Sequence, residues 1–110
     1  MVSRLLEDRI ALRKERISEL ESSLAILIPK AVDAEVYLFG SLARGDFNSF
    51  SDIDLCFSCN NRSDKDFFLK LIKSIRSDKV FVEKGLLESS NQPLLKNIRR
   101  DRIKVWPLFD

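Results

Sequence analysis

The sequence contains no histidine and only two cysteines, three glycines and three prolines among its 110 residues. Without histidine, and with Cys56 and Cys59 as its single cysteine pair, one chain cannot assemble a four-ligand zinc site from soft donors. No segment approaches the roughly 20 apolar residues of a membrane span, and no apolar run follows a basic start as in a signal peptide. We therefore expect a cytoplasmic protein with reduced thiols.

An excess of charge of one sign is also missing. The formal net charge is only +2 although 33% of the residues are charged, so composition gives no general argument for nucleic-acid binding. The basic stretch from Lys96 to Lys104 is interpreted as a solvated helix end. With 45% hydrophobic residues and no Pro/Gly-rich linker, residues 1–110 are predicted to form one domain, without room for a separate substrate-binding domain.

Apolar spacing predicts a long amphipathic helix over residues 3–28, ended by Pro29. A second helix is predicted around Phe67 to Ile75, and a third after the polar segment that leads to Pro93. Runs of β-branched, aromatic and aliphatic residues predict strands at 36–39, 53–57, 79–83 and 103–106.

The most informative segment begins where the first predicted strand, residues 36–39, breaks at Gly40 and Ser41. A glycine at a strand end lets the backbone turn tightly and present its N–H groups to an anion. The serine adds a hydroxyl donor. Such a turn can hold phosphate.

After ten intervening residues, Asp52 and Asp54 flank a single isoleucine. They alternate with apolar residues, so both carboxylates are predicted on one face of a strand. Two carboxylates so placed favour a divalent cation shared with substrate phosphates, and Mg²⁺ is the natural candidate. Either motif alone would be read as an ordinary turn or a solvated strand face. The occurrence of both motifs at this separation favours a functional site over these structural interpretations.

The stretch Gly-Ser-Leu-Ala-Arg-Gly-Asp followed by Ser-Asp-Ile-Asp-Leu resembles the signature of the minimal nucleotidyltransferases of the DNA polymerase β superfamily. The resemblance is sharp over residues 36–58 and implies an α/β (α+β), polymerase β-like fold, with a small mixed sheet packed by helices. It implies metal-assisted transfer of a nucleotide's α-phosphoryl group, and a third carboxylate on a later strand.

Glu83 is the expected third carboxylate, because it ends the only later apolar run that contains an acid, 79–83. Lys84 departs from the family by replacing the usual apolar neighbour. A register two residues earlier would place Phe81 at the site and leave no third acid. Strand alternation permits either register.

The resemblance assigns Gly40 and Ser41 to the β- and γ-phosphates of ATP, and Asp52, Asp54 and Glu83 to a two-metal Mg²⁺ site. Ser51 is expected to cap or orient the aspartates. Two interpretations of Arg44 are equally favoured. Its side chain either contacts a phosphate oxygen, or it forms a salt bridge to Asp46 or is solvated.

The resemblance also implies the acceptor. Stand-alone domains of this kind resemble antitoxins that transfer AMP to a tyrosine of a HEPN-type toxin encoded nearby. The only tyrosine of this chain, Tyr37, lies in a predicted core strand, so self-modification is disfavoured. The apolar segment 106–109 is expected in the core, or alternatively at a contact with a partner in a homo- or hetero-oligomer.

Two alternatives remain open. A degenerate site would leave an antitoxin that neutralises its partner by binding alone, which Lys84 and the uncertain third acid would favour. The second alternative is a nucleotidyltransferase that acts on a small molecule such as an aminoglycoside. The absence of room for a second domain argues against this alternative.

Overall fold

A computed structural model describes residues 2–46, 53–60, 62–71, 75 and 77–108 of the chain. In chain order the described elements are α1 (Val2–Leu27), β1 (Ala34–Phe39), α2 (Gly40–Arg44), β2 (Ile53–Cys59), α3 (Arg62–Leu71), β3 (Ser77–Val82), α4 (Lys84–Ser89), α5 (Pro93–Asp101) and β4 (Ile103–Trp106).

The four described strands form one mixed sheet in the order β3-β2-β1-β4. Strand β1 pairs antiparallel with both β2 and β4, whereas β2 pairs in parallel with β3. A parallel pair needs a crossover connection, and α3 lies in the chain between β2 and β3. The mixed α/β architecture with a long N-terminal helix is therefore confirmed.

One face of the sheet carries the larger part of the core. Leu24 of α1, Phe57 of β2 and Phe68 of α3 are fully buried there. The rings of Phe57 and Phe68 lie 4.7 Å apart, and Phe81 of β3 stacks on Phe57 at 5.2 Å. Burial of each such side chain contributes about 1.5–3 kcal/mol, so this face accounts for much of the stability.

The opposite face is covered by α4 and α5. Tyr37 and Cys56 lie on this face and pack with Leu87 and Ile98 of the two helices. Because β2 alternates, Asp54 points to the same face as Cys56, two residues further along the strand. The carboxylate therefore belongs to the α4/α5 face.

The first and last predicted helices agree with α1 and α5 over most of their length, whereas the second, predicted around Phe67 to Ile75, coincides with α3 only up to Leu71, and Ile75 lies in a bend. Helix α1 is followed by Pro29, and α5 carries its proline in the first turn with Gln92 as the N-cap residue. The sequence analysis did not predict α2 or α4. Both are short, with five and six residues, and too short to show a helical apolar period. No helix in the described part of the chain combines the length and the apolar character needed to cross a membrane.

Candidate active site

The Gly-Ser motif forms the start of α2, immediately after β1. Gly40 has φ 78°, a left-handed conformation that favours glycine, and the preceding Phe39 is extended. Gly45 ends the helix with φ 87°. The first turn of a helix leaves backbone N–H groups without carbonyl partners inside the helix. The Gly-Ser pair thus lies where β1 ends and the first turn of α2 begins.

Gly40 and Asp54 approach each other closely. A Cβ atom at position 40 would lie 2.0 Å from Oδ2 of Asp54 and 2.9 Å from its Cγ. Register explains the approach, because Phe39 at the end of β1 is paired with Asp54 near the start of β2. Only glycine leaves room for this carboxylate beside the N-terminus of α2.

A second carboxylate lies opposite Asp54. In the parallel pairing of β2 with β3, Asp54 is directly opposite Asp78. Residues opposite each other in a sheet project to the same face, and neighbouring strands are about 4.8 Å apart. Asp78 is exposed. Asp78 was not predicted from the sequence, because it precedes the apolar residues of β3, whereas the predicted acid, Glu83, follows them.

Glu83 does not join this site. The same register places Val82 opposite Ser58, at the far end of β2 from Asp54. Glu83 follows Asp78 by five positions, or roughly 16 Å of extended chain. Glu83 is exposed and serves as the N-cap residue of α4. The structure thus does not bring the expected third carboxylate to Asp54.

The alternative register, with Phe81 at the site, also disagrees with the structure. Phe81 is opposite Phe57 and stacks on it in the core face of the sheet. In β3 the odd-numbered positions face that core, and the even-numbered positions share the face of Asp54. Both registers considered from the sequence placed an odd-numbered residue, Glu83 or Phe81, at the site, whereas the even-numbered positions of β3 share the face of Asp54.

Asp52 and Ser51, predicted from the sequence as a metal ligand and an orienting residue, lie outside the described residues. Within the described ranges, no group of three or more potential metal-ligating side chains is assembled. Asp54 and Asp78 are the two carboxylates that the strand register places side by side.

Arg44, at the last position of α2, pairs with two carboxylates. Its Nε lies 3.2 Å from Oδ2 of Asp46, and a terminal nitrogen lies 3.3 Å from Oδ2 of Asp101. Hydrogen bonds to Asp46 and then to Asp101 raise the pKa of Arg44 above its ordinary value. The salt bridge to Asp46 that the sequence left open is present, and Asp101 joins α5 to the end of α2.

Comparison with known protein families decides the class of the chain. Residues 14–107 match the family described as the nucleotidyltransferase domain. The chain belongs to this family. The match covers most of the chain, and it confirms the nucleotidyltransferase fold and the class of activity predicted from the sequence.

Solved structures of similar chains were also found, whereas no curated protein sequence matches. One is a toxin-antitoxin with AMP-PNP, at 26% identity and TM-score 0.46, covering 82% of this chain and 72% of the other. Another is a putative nucleotidyltransferase from Sulfolobus solfataricus, at 23% identity and TM-score 0.49, covering 89% and 82%. A third is a mutant toxin-antitoxin of MntA and HpeT, at 23% identity and TM-score 0.43, covering 82% and 71%. The family assignment rests on the sequence match.

The donor atoms of this nucleotidyltransferase domain suit Mg²⁺. Carboxylate oxygens are the ligands that Mg²⁺ prefers, and it usually takes one or two of them together with phosphate oxygens. Asp54 and Asp78 provide such a pair, and the space that glycine leaves at position 40 is filled by the carboxylate of Asp54. The described residues fit the ion.

The two cysteines do not form a second site in the nucleotidyltransferase domain. Both are buried and neither is in a disulfide. Cys56 lies with the α4/α5 face, whereas Cys59 packs with the core on the opposite face. Burial raises the pKa of the Cys56 thiol to about 12. The two thiols of the C-x-x-C spacing thus lie on opposite faces of the sheet.

Tyr37 lies in the core, as expected. It is 9% exposed, and its hydroxyl donates a hydrogen bond to the carboxylate of Glu35. The guanidinium of Arg102 lies over its ring at 4.9 Å. Burial and the contact with Glu35 raise the pKa of the phenol. The Tyr37 hydroxyl is therefore poorly placed to accept a transferred nucleotide.

Proposed function

We propose that this nucleotidyltransferase domain transfers AMP from ATP, with Mg²⁺, to a tyrosine hydroxyl of a partner toxin of the HEPN type and acts as its antitoxin. The observation that carries the enzymatic part is the placement of Asp54 opposite Asp78, with Asp54 against Gly40 at the start of α2. This arrangement puts anion donors and cation ligands next to each other.

The backbone N–H groups at the start of α2, with the hydroxyl of Ser41, bind the β- and γ-phosphates in this proposal. Asp52, Asp54 and Asp78 hold Mg²⁺, with Asp78 in the place first expected for Glu83. When bound, Mg²⁺ neutralises charge on the phosphates and on the leaving pyrophosphate. The acceptor oxygen forms a bond to the α-phosphorus while the bond from that phosphorus to the bridging oxygen of the β-phosphate breaks. The hydroxyl proton passes to Asp78.

Arg44 has a supporting role in the proposal. Its guanidinium is already shared between Asp46 and Asp101 at the end of α2. While it keeps these contacts, Arg44 neutralises part of the negative charge of Asp46 and Asp101 near the phosphate site. Direct contact with a phosphate would require exchange of at least one of these partners.

The acceptor is proposed to be another chain for two reasons. Tyr37, the only tyrosine of the sequence, is buried and hydrogen-bonded to Glu35. The segment with the sharpest resemblance is similar to the minimal nucleotidyltransferases found as antitoxins. The position of Asp78 opposite Asp54 favours a catalytic antitoxin over one that acts by binding alone, because in this proposal Asp78 takes the role of the third acid.

The test is intact-mass spectrometry of the neighbouring gene's product after incubation with this protein, ATP and Mg²⁺. We expect an AMP-sized mass increase on the partner with the wild type and with Glu83→Gln, and none with Asp54→Asn or Asp78→Asn. Glu83→Gln is the matched control, because it removes an exposed carboxylate next to the other end of the same strand.

Two outcomes would contradict the proposal. A stable complex without any mass increase would indicate neutralisation by binding alone. An AMP-sized increase on an aminoglycoside in a parallel incubation, with none on the protein partner, would indicate a small-molecule nucleotidyltransferase.

A further inference from the structure

Arg13 of α1 is bonded to the helix that carries the Gly-Ser motif. Its Nε donates to the carbonyl oxygen of Leu42 at 2.9 Å, and a terminal nitrogen donates to the carbonyl oxygen of Ala43 at 2.6 Å. Both acceptor residues are buried, with exposed fractions of 2% and 6%. A side chain from the first helix thus contacts the end of α2 that is opposite to Gly40.

The carbonyl groups at the end of α2 need such donors. A helix leaves its last four carbonyls without partners inside the helix, and α2 has only five residues. The carbonyl of Ser41 accepts from the N–H groups of Gly45 and Asp46 at 2.9 and 3.1 Å. The guanidinium of Arg13 supplies the donors for the next two carbonyls and places a positive charge at the negative end of the helix dipole.

From this geometry we propose that Arg13 is a positioning residue for nucleotide binding. Helix α2 is about 7 Å long, so fixing its C-terminal carbonyls also fixes the N–H groups of its first turn. Those groups lie beside Asp54. The inference rests on the proposed function, because it assumes that the first turn of α2 binds the phosphates of ATP.

The shape of the arginine side chain is part of the argument. Its planar guanidinium presents two N–H groups in a fixed fork, which matches two successive carbonyls of one turn. Lysine retains the charge but supplies a single ammonium group on a flexible stem. Arg13→Lys is therefore expected to retain part of the function, and Arg13→Gln to retain less.

The neighbouring residue provides the matched control. Lys14 is exposed and lies on the same helix, so Lys14→Gln removes one positive charge without touching α2. Ile28→Val is the control for stability. Ile28 lies in the core beyond the end of α1, where it lines a cavity together with Val105 and Trp106, and its replacement by valine lowers stability modestly.

The experiment measures the Kd of ATP with Mg²⁺ by isothermal titration calorimetry, and the urea midpoint of every variant, at a temperature where all are folded. We expect Arg13→Gln to raise the Kd about tenfold or more and Arg13→Lys to raise it less. Lys14→Gln and Ile28→Val should keep the wild-type Kd, even where Ile28→Val lowers the urea midpoint.

Two results would overturn the inference in different ways. A lowered urea midpoint in Arg13→Gln with an unchanged Kd, while the wild type binds ATP, would show that Arg13 only stabilises the fold and would leave the proposed function intact. Failure of the wild type to bind any nucleoside triphosphate would overturn the proposed function, and the inference with it.

Discussion

The chain has three glycines, and substitution of each by alanine separates backbone strain from damage to the site. Gly40→Ala introduces a Cβ atom at a residue with φ 78°, 2.0 Å from Oδ2 of Asp54. Gly45→Ala places a Cβ at a residue with φ 87°, where its nearest neighbours are atoms of Arg13 at 3.8 Å, an ordinary contact. Gly85→Ala has nothing within 4 Å and no positive φ.

The magnitudes follow from these differences. A non-glycine residue in the left-handed region costs about 1–2 kcal/mol, so both Gly40→Ala and Gly45→Ala should lower the free energy of unfolding by this amount. For a domain of this size the Tm then falls by about 5–10 °C. Gly85→Ala, within α4, should be neutral or stabilise by up to about 1 kcal/mol.

Activity should separate the two strained variants. In Gly40→Ala, the clash is with the flexible carboxylate of Asp54, which can turn away from the new methyl group at little cost in stability. In the proposed function Asp54 holds the metal ion, and displacing such a carboxylate removes several kcal/mol of transition-state stabilisation, where each 1.36 kcal/mol is a factor of ten. Gly40→Ala should therefore be about a hundredfold or more slower than Gly45→Ala at similar stability.

The assay is nucleotidyl transfer to the partner, with the Tm of each variant measured in parallel and activity recorded well below the lowest Tm. Equal activity of Gly40→Ala and Gly45→Ala would refute the reasoning, because it would mean that the approach of Asp54 to position 40 has no part in the chemistry. Loss of activity in Gly85→Ala would show that the assay reports general damage.

Three further predictions concern other residues. Asp78→Asn should slow nucleotidyl transfer about a hundredfold or more while Glu83→Gln stays within a few-fold of the wild type, and the reverse order would contradict the β2/β3 register. Cys56, with its pKa raised to about 12 by burial, should resist iodoacetamide at pH 8 in the folded protein and react on unfolding in urea, as peptide mass mapping would show. The hydrogen bond from Arg102 lowers the pKa of Glu88 below its ordinary value of 4.5. The stabilisation that the Arg102–Glu88 ion pair contributes to the folded state is therefore present above pH 4.5 and is lost as the pH falls through the lowered pKa of Glu88. Because the Glu88 side chain is exposed, Glu88→Gln should change stability by less than about 1 kcal/mol and reduce the acid sensitivity of the urea midpoint.

The candidate site was predictable where its signals are local in the chain. A strand that breaks at Gly40 and the alternation around Asp54 depend only on neighbouring residues, and both are present in the structure. The third carboxylate is a different case. Its position depends on which residue of β3 lies beside Asp54, and a single sequence does not contain the register between two strands that are joined by a helix.

The sequence by itself determined the long first helix, the Gly-Ser turn after β1 and the strand that carries Asp54, because the periodicity and turn chemistry of each are contained in a few consecutive residues. The class of the fold followed from the resemblance of residues 36–58 to the minimal nucleotidyltransferases. Only the tertiary structure decided that Asp78 rather than Glu83 faces Asp54, and that Arg13 completes the end of α2. Both results come from contacts between residues far apart in the chain, which are fixed by the packing of the whole sheet and α1 rather than by any local preference.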